Sequence, residues 1–194
     1  MISYIKDDIT NSDCNYICHQ VNCQGKMNSG VAKAIRTKWP IAYDNYIKKC
    51  DEREYAIYNM CGGLEVQPNW SETLLGEIQI CALYDDYNKT DKHQHVVNLF
   101  AQEAYGYDGK RYTSYDAFWQ CLNNLKQCIQ KNVTLAFPYK IGCVRGGANW
   151  EIIRTMIREV FKDRQVYFYY LNEEDLDDEA KLNILADKFI GGII

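Results

Sequence analysis

Two glycine-bearing segments stand where a strand-like run hands over to a helix-like run. One comprises Gln24, Gly25, Lys26, Met27, Asn28, Ser29, Gly30 and Val31. The other comprises Ile141, Gly142, Cys143, Val144, Arg145, Gly146, Gly147 and Ala148. Glycine there takes up positive φ and lets the backbone approach a ligand closely. A helix start behind each loop offers unpaired N–H donors and a partial positive charge. Two such loops facing each other could clamp a diphosphate. Each loop alone also reads as a plain tight turn. Neither is a G-x-x-x-x-G-K-[ST] phosphate loop or a G-x-G-x-x-G dinucleotide fingerprint. Cys14, Cys18, His19 and Cys23 cluster ahead of the first loop, but not as C-x-x-C, and a strand would send Cys18 and His19 to opposite faces. They read as core thiols and a core histidine, with no metal site.

The elements that must hold these loops follow from the hydrophobic pattern. Ile2–Ile5 and Tyr16–Asn22 read as strands. A helix from Ser29, an N-cap type of residue, stops at Pro40, and a second covers Ala42–Cys50. Gly62–Gly63 and Pro68 suggest turns. Leu74–Tyr84 and Val96–Gln102 read as strands around a polar turn, Asp85–His95. Tyr115–Gln130 is helical, Val133–Pro138 a short buried strand, Trp150–Lys162 an amphipathic helix and Val166–Leu171 a strand. This alternation is the α/β signature, with crossover helices covering a mostly parallel sheet. Residues 1–171 form one domain. The acidic stretch Asn172–Glu179 and the helix-like Leu182–Phe189 form a C-terminal helical extension within 172–194.

Net charge is −4, and no Lys/Arg-rich run is present. Strong non-specific nucleic-acid binding is therefore not expected. The segment Tyr105–Tyr112, with Lys110 and Arg111 among its tyrosines, has groups that can stack on bases, and it reads equally as an ordinary rim loop. The start MISYIKDDIT lacks an apolar signal region, and no run approaches the roughly 20 apolar residues of a membrane span. Nine cysteines, including Cys18, Cys81 and Cys143 in apolar runs, fit reduced thiols in a cytoplasmic protein with no membrane partner.

Several runs, in order, resemble macrodomains. Ile5-Lys6-Asp7-Asp8-Ile9-Thr10 is similar to the family's opening, Val21–Ala32 (VNCQGKMNSGVA) to its first ligand loop, and Phe137–Trp150 (FPYKIGCVRGGANW) to its phosphate-binding loop. Asn98–Tyr115 is similar to the middle strand and loop of the branch containing terminal ADP-ribose glycohydrolases and ADP-ribose-1″-phosphate phosphatases. The resemblance implies a three-layer α/β/α sandwich with a mixed, mostly parallel sheet that binds ADP-ribose or an ADP-ribosyl derivative, including ADP-ribosylated macromolecules, without a cofactor. Asp8 then takes the place of the aspartate that accepts from the adenine amino group, with the Ile9 amide beside it and Tyr169 as an aromatic neighbour of adenine. Asn22 takes the place of the asparagine facing the distal ribose, and Lys26 lies beside it. These two are the candidate catalytic residues.

The same resemblance weakens one mechanism. The branch uses a lysine on the middle strand and an aspartate in the second loop; the matching positions are Gln102 and Gly146, and neither can act as nucleophile or acid. Three readings stay open: a hydrolase that removes a C1″-linked group (a 1″-phosphate, or a protein or nucleic-acid linkage), a non-catalytic ADP-ribose reader, and a binder of another nucleotide or partner.

Overall fold

The computed structural model describes residues 1–60, 70–83, 94–106 and 108–191. The expected turns at Gly62–Gly63 and Pro68, and most of the turn Asp85–His95, lie outside these residues. Six strands form one sheet: β1 (Ile2–Lys6), β2 (Tyr16–Asn22), β3 (Ile78–Ala82), β4 (His95–Gln102), β5 (Thr134–Pro138) and β6 (Gln165–Tyr170). Their spatial order is β1-β6-β5-β2-β4-β3. All neighbours are parallel except β3, which pairs antiparallel with β4 at the edge.

The helices are α1 (Gly30–Lys38), α2 (Pro40–Met60), α3 (Tyr115–Cys128), α4 (Trp150–Val160) and α5 (Asp178–Gly191). Strand alternation divides the core between two faces. Cys18, Val97, Leu135, Phe137 and Phe168 face α3 and α4. Ile17, Val96 and Ala136 face the opposite layer with Ile35 of α1 and Ala42 of α2, and Val21 and Phe100 join Tyr46 and Cys50 there. The result is the three-layer α/β/α arrangement. Burying Phe137 and Phe168 completely stabilises the middle layer by about 1.5–3 kcal/mol each.

Three elements differ from expectation. α2 begins at Pro40 and runs to Met60 rather than ending at Cys50. Proline suits a first helical position, where its missing N–H is not needed. Further along, Arg53 donates to the Thr73 carbonyl and pairs with Glu77, so tertiary contacts carry the helix on. The expected strand Leu74–Tyr84 contracts to β3, because Trp70–Leu74 forms a short 3-10 helix and Gly76 turns the chain at φ 84°. Cys143 is half-buried in the second loop rather than in a strand.

The segment after β6 packs back on the sheet edge. Tyr170, Leu176 and Ala180 cluster with Tyr4, Tyr139 and Ile184. Beneath them Arg154 of α4, only 3% exposed, pairs with Glu151, Asp177 and Glu179. No helix among the described residues is long and apolar enough to cross a membrane.

Candidate functional site

A cleft of about 320 Å³ opens at the carboxyl ends of β2, β4 and β5, the place where open α/β sheets bind ligands. The first loop contributes Asn22, Lys26, Asn28, Ser29, Gly30 and Val31. The second contributes Ile141, Gly142, Val144, Arg145 and Gly146. The two loops thus face each other, as their sequences suggested.

The first loop is folded around Asn22. Its Oδ1 accepts from the amides of Gln24 at 2.9 Å and Lys26 at 3.2 Å, and its Nδ2 donates to the Lys26 carbonyl at 2.6 Å. Tyr46 of α2, fully buried, locks this arrangement. Its hydroxyl lies 2.8 Å from the Asn22 carbonyl and 2.9 Å from Oδ1, and accepts from the Lys26 amide at 2.9 Å. Burial pushes the Tyr46 hydroxyl above its ordinary range, so it stays protonated. Asn22 therefore serves its own turn, with one Nδ2–H left over. Lys26 is exposed at the cleft wall.

Behind this loop, α1 starts open. Ser29 is the N-cap residue by its extended backbone, yet its side chain makes no cap hydrogen bond, and no acidic residue occupies the first turn. Gly30, Val31 and Ala32 at this helix start line the cleft, where the first N–H groups of a helix carry a partial positive charge.

The second loop is held differently. Its amides at Cys143, Gly147 and Ala148 donate to Lys140, Cys143 and Gly142 carbonyls. Those of Gly142, Val144 and Gly146 make no hydrogen bond among the described residues. The Gly146 carbonyl accepts from both Tyr112 and Thr113 amides, each at 2.9 Å, and Thr113 Oγ1 donates to the Gly142 carbonyl at 2.9 Å. Behind the loop, α4 is capped by its own Asn149, whose side chain accepts from the Glu151 amide at 2.8 Å. Burial pushes the Cys143 thiol up to about 12, so it is not a thiolate nucleophile.

Gly146 also explains a missing carboxylate. A Cβ there would stand 2.1 Å from Thr113 Oγ1 and 2.4 Å from the Gly142 carbonyl. No side chain fits at that position in this loop conformation.

Eight residues singled out in the sequence do not line the cleft. Asp8 caps the short helix Ile9–Asn11 by accepting from the Thr10 amide at 2.8 Å. Ile9 and Tyr169 pack together in the α1 layer. Gln24 projects to solvent, and Gly25 is buried against Ile47 at φ 71°. Cys143 turns toward the α3–α4 core, while Gly147 and Ala148 close the base of the loop.

Conversely, the cleft includes residues that were not assigned a ligand role: Gln20, Gln102, Tyr105, Tyr139 and Lys140. Gln20 carried a signal, since it shares the strand face of core residue Cys18 and is polar. His19 also borders the cleft, and its Nε2 lies 2.6 Å from Asn98 Oδ1. Asn98 Nδ2 donates to Gln79 Oε1, so Asn98 Oδ1 must accept and Nε2 carries the proton. Burial lowers the His19 pKa to about 4 and keeps the ring neutral.

No family model matches the chain. An ADP-ribose 1″-phosphate phosphatase of Aspergillus oryzae is 33% identical over 101 residues, covering 46% of this chain and 50% of that protein. The chain thus spans about half the length of this curated relative. Among solved structures, the macrodomain of Mycobacterium tuberculosis DarG superposes with a TM-score of 0.63 at 21% identity, covering 87% of this chain and 97% of the other. Thermosipho africanus DarTG in complex with ADP-ribose gives 0.68 at 19% identity, covering 95% of this chain and 45% of the other. Both share the fold described above.

Proposed function

We propose, on the premise that this chain is a macrodomain, that its cleft binds ADP-ribose and that it hydrolyses a group linked to C1″ of an ADP-ribose derivative. The observation that carries this reading is the N-terminus of α1, without a side-chain cap, across the cleft from second-loop amides that make no hydrogen bond among the described residues. A diphosphate between them would take hydrogen bonds from both sides and the positive end of a helix dipole. Adenine would then lie toward β1 and β6, near Asp8, Ile9 and Tyr169, and the distal ribose toward β4, because β4 flanks β2 on the side away from β5 and β6.

The chemistry follows from what the site has and lacks. Gln102 and Gly146 rule out a lysine nucleophile assisted by a loop aspartate. What remains is a positioned water attacking C1″ or its substituent, with acceleration from orientation and charge stabilisation. Lys26 supplies a cation at the wall, and Asn22 holds the loop and offers its remaining N–H to the ribose. The leaving group is the 1″-phosphate, or the protein or nucleic-acid group of an ADP-ribosylated macromolecule. The buried free thiols suit a reducing, cytoplasmic compartment.

Phosphate release from ADP-ribose-1″-phosphate, measured alongside calorimetry with ADP-ribose, tests the reading. Binding with turnover is expected, with Lys26→Ala lowering kcat on the order of tenfold. The missing lysine and aspartate favour a second reading, a reader that binds without turnover. Binding with no release from phosphate-, protein- or nucleic-acid-linked substrates would establish it. Heat from other nucleotides but none from ADP-ribose would sink both.

A further inference from the structure

The second loop is entered through a tight turn. The Ile141 amide donates to the Pro138 carbonyl at 3.1 Å, which places Tyr139 and Lys140 at the two central positions. Lys140 has φ 56° and Tyr139 does not share its positive φ. The turn is therefore of the type II kind, whose second central position takes glycine or asparagine. Lys140 is the one non-glycine residue at positive φ among the described residues. A side chain is strained in this region, and such residues gather at ligand sites where their surroundings over-determine them. Here Tyr139 supplies that support. Its amide donates to the Tyr169 carbonyl at 2.8 Å, its ring meets Trp150 edge-on with centroids 4.9 Å apart, and its hydroxyl accepts from the Asp177 amide at 2.9 Å.

What the strained position carries is a cation. Lys140 is half-buried and lines the cleft, with Nζ 5.5 Å from the centre of the Tyr139 ring. Its ammonium makes no ion pair and no hydrogen bond among the described residues. No aspartate or glutamate is among the described residues that line the cleft, in a chain of net charge −4. The charge of Lys140 is thus not neutralised from within the cleft. β5 lies between β6 and β2, so Lys140, just after β5, stands on the side of the cleft toward β6, whereas Lys26 follows β2.

We propose that the Lys140 ammonium pairs with the ligand's diphosphate on its adenosine side, which makes Lys140 an anion-binding residue of the cleft. The proposal rests on the reading that the cleft holds ADP-ribose. The start of α1 and the loop amides offer only partial charges. Lys140 adds a full one, on a flexible stem that reaches out from a fixed turn. Glycine would suit the turn better and would leave this charge out.

Calorimetry on the full chain with ADP-ribose, at low and at high salt, compares the parent with Lys140→Gly and Lys140→Arg, and thermal unfolding is recorded for each. Glycine relieves the backbone and removes the charge; arginine keeps both the charge and the strained angle. Lys140→Gly is expected to weaken ADP-ribose about tenfold at low salt, with a smaller difference at high salt. Its Tm is expected at or above that of the parent, so that weaker binding is not loss of fold. Lys140→Arg is expected to stay within about threefold of the parent affinity. If Lys140→Gly binds within about twofold of the parent at low salt, the lysine faces only solvent and the proposal fails. A loss that is equal at both salt concentrations, or shared by Lys140→Arg, would come from the shape of the turn rather than from charge, and this too overturns it. A parent chain that binds no ADP-ribose removes the ADP-ribose reading itself, a result distinct from the other two.

Discussion

The two glycine-bearing loops of the cleft look alike in sequence and are built on opposite plans. The first is closed around one side chain, Asn22, and leaves the helix behind it open. The second spends part of its backbone on itself, is stitched to Thr113 and Tyr112, and stands before a helix that Asn149 has already capped. Glu151 in the first turn of α4 further offsets the positive end of that helix. The lesson is that a glycine loop before a helix does not by itself make the helix start available. Here α1 is left without a side-chain cap, while the second loop is held by hydrogen bonds from Tyr112 and Thr113.

Three substitutions probe this asymmetry. The largest effect is expected from Gly30→Asp, which puts a carboxylate on the open start of α1. Affinity for ADP-ribose should fall on the order of 100-fold; a loss under threefold in calorimetry would show that α1 does not hold the anion. Next is Tyr46→Phe. It leaves the Lys26 amide without its phenolic acceptor and withdraws the donor to Asn22, at a cost of about 1–3 kcal/mol in denaturant unfolding. Amide exchange should quicken at Gln24 and Lys26 and not in residues 141–148. Equal quickening in both loops would mean that they are one cooperative unit. The smallest effect is expected from Asn149→Ala, about 1 kcal/mol of stability for a lost cap, with ligand affinity within about threefold. A larger affinity loss would make α4 an equal partner of α1 after all.

Much of this was legible in the chain. Tyr16–Asn22 shows its strand by alternation, Ser29–Gly30 marks the helix start, and the apolar stripe Ile153, Ile157, Val160 and Phe161 of α4 is buried as its spacing implies. What stayed hidden depends on residues far apart in sequence. Nothing local to Tyr46 announces that it organises a loop some twenty residues earlier, since a tyrosine on a helix has no signature of its hydroxyl's partner. Gln20 Nε2 donates to both Gln102 Oε1 and Thr113 Oγ1, a network that joins two strands and a loop, and a polar residue on a core face was its only trace. The caps illustrate the same limit: Ser29 and Asn149 are both good N-cap types, and only the folded backbone decides that one side chain closes on its helix while the other does not.

The first strand has a consequence in time. β1 sits at the sheet edge and pairs only with β6, so Ile2 finds its neighbour in Val166. The β1–β6 ladder joins two strands that the other four strands separate in sequence. The long loop so closed is entropically costly and slow to form. Residues after β6 fasten the same edge, with Lys6 paired to Glu173 and Tyr4 packed beside Leu176 and Ala180. The β1–β6 ladder and the packing of Leu176 and Ala180 on Tyr4 thus meet along one seam.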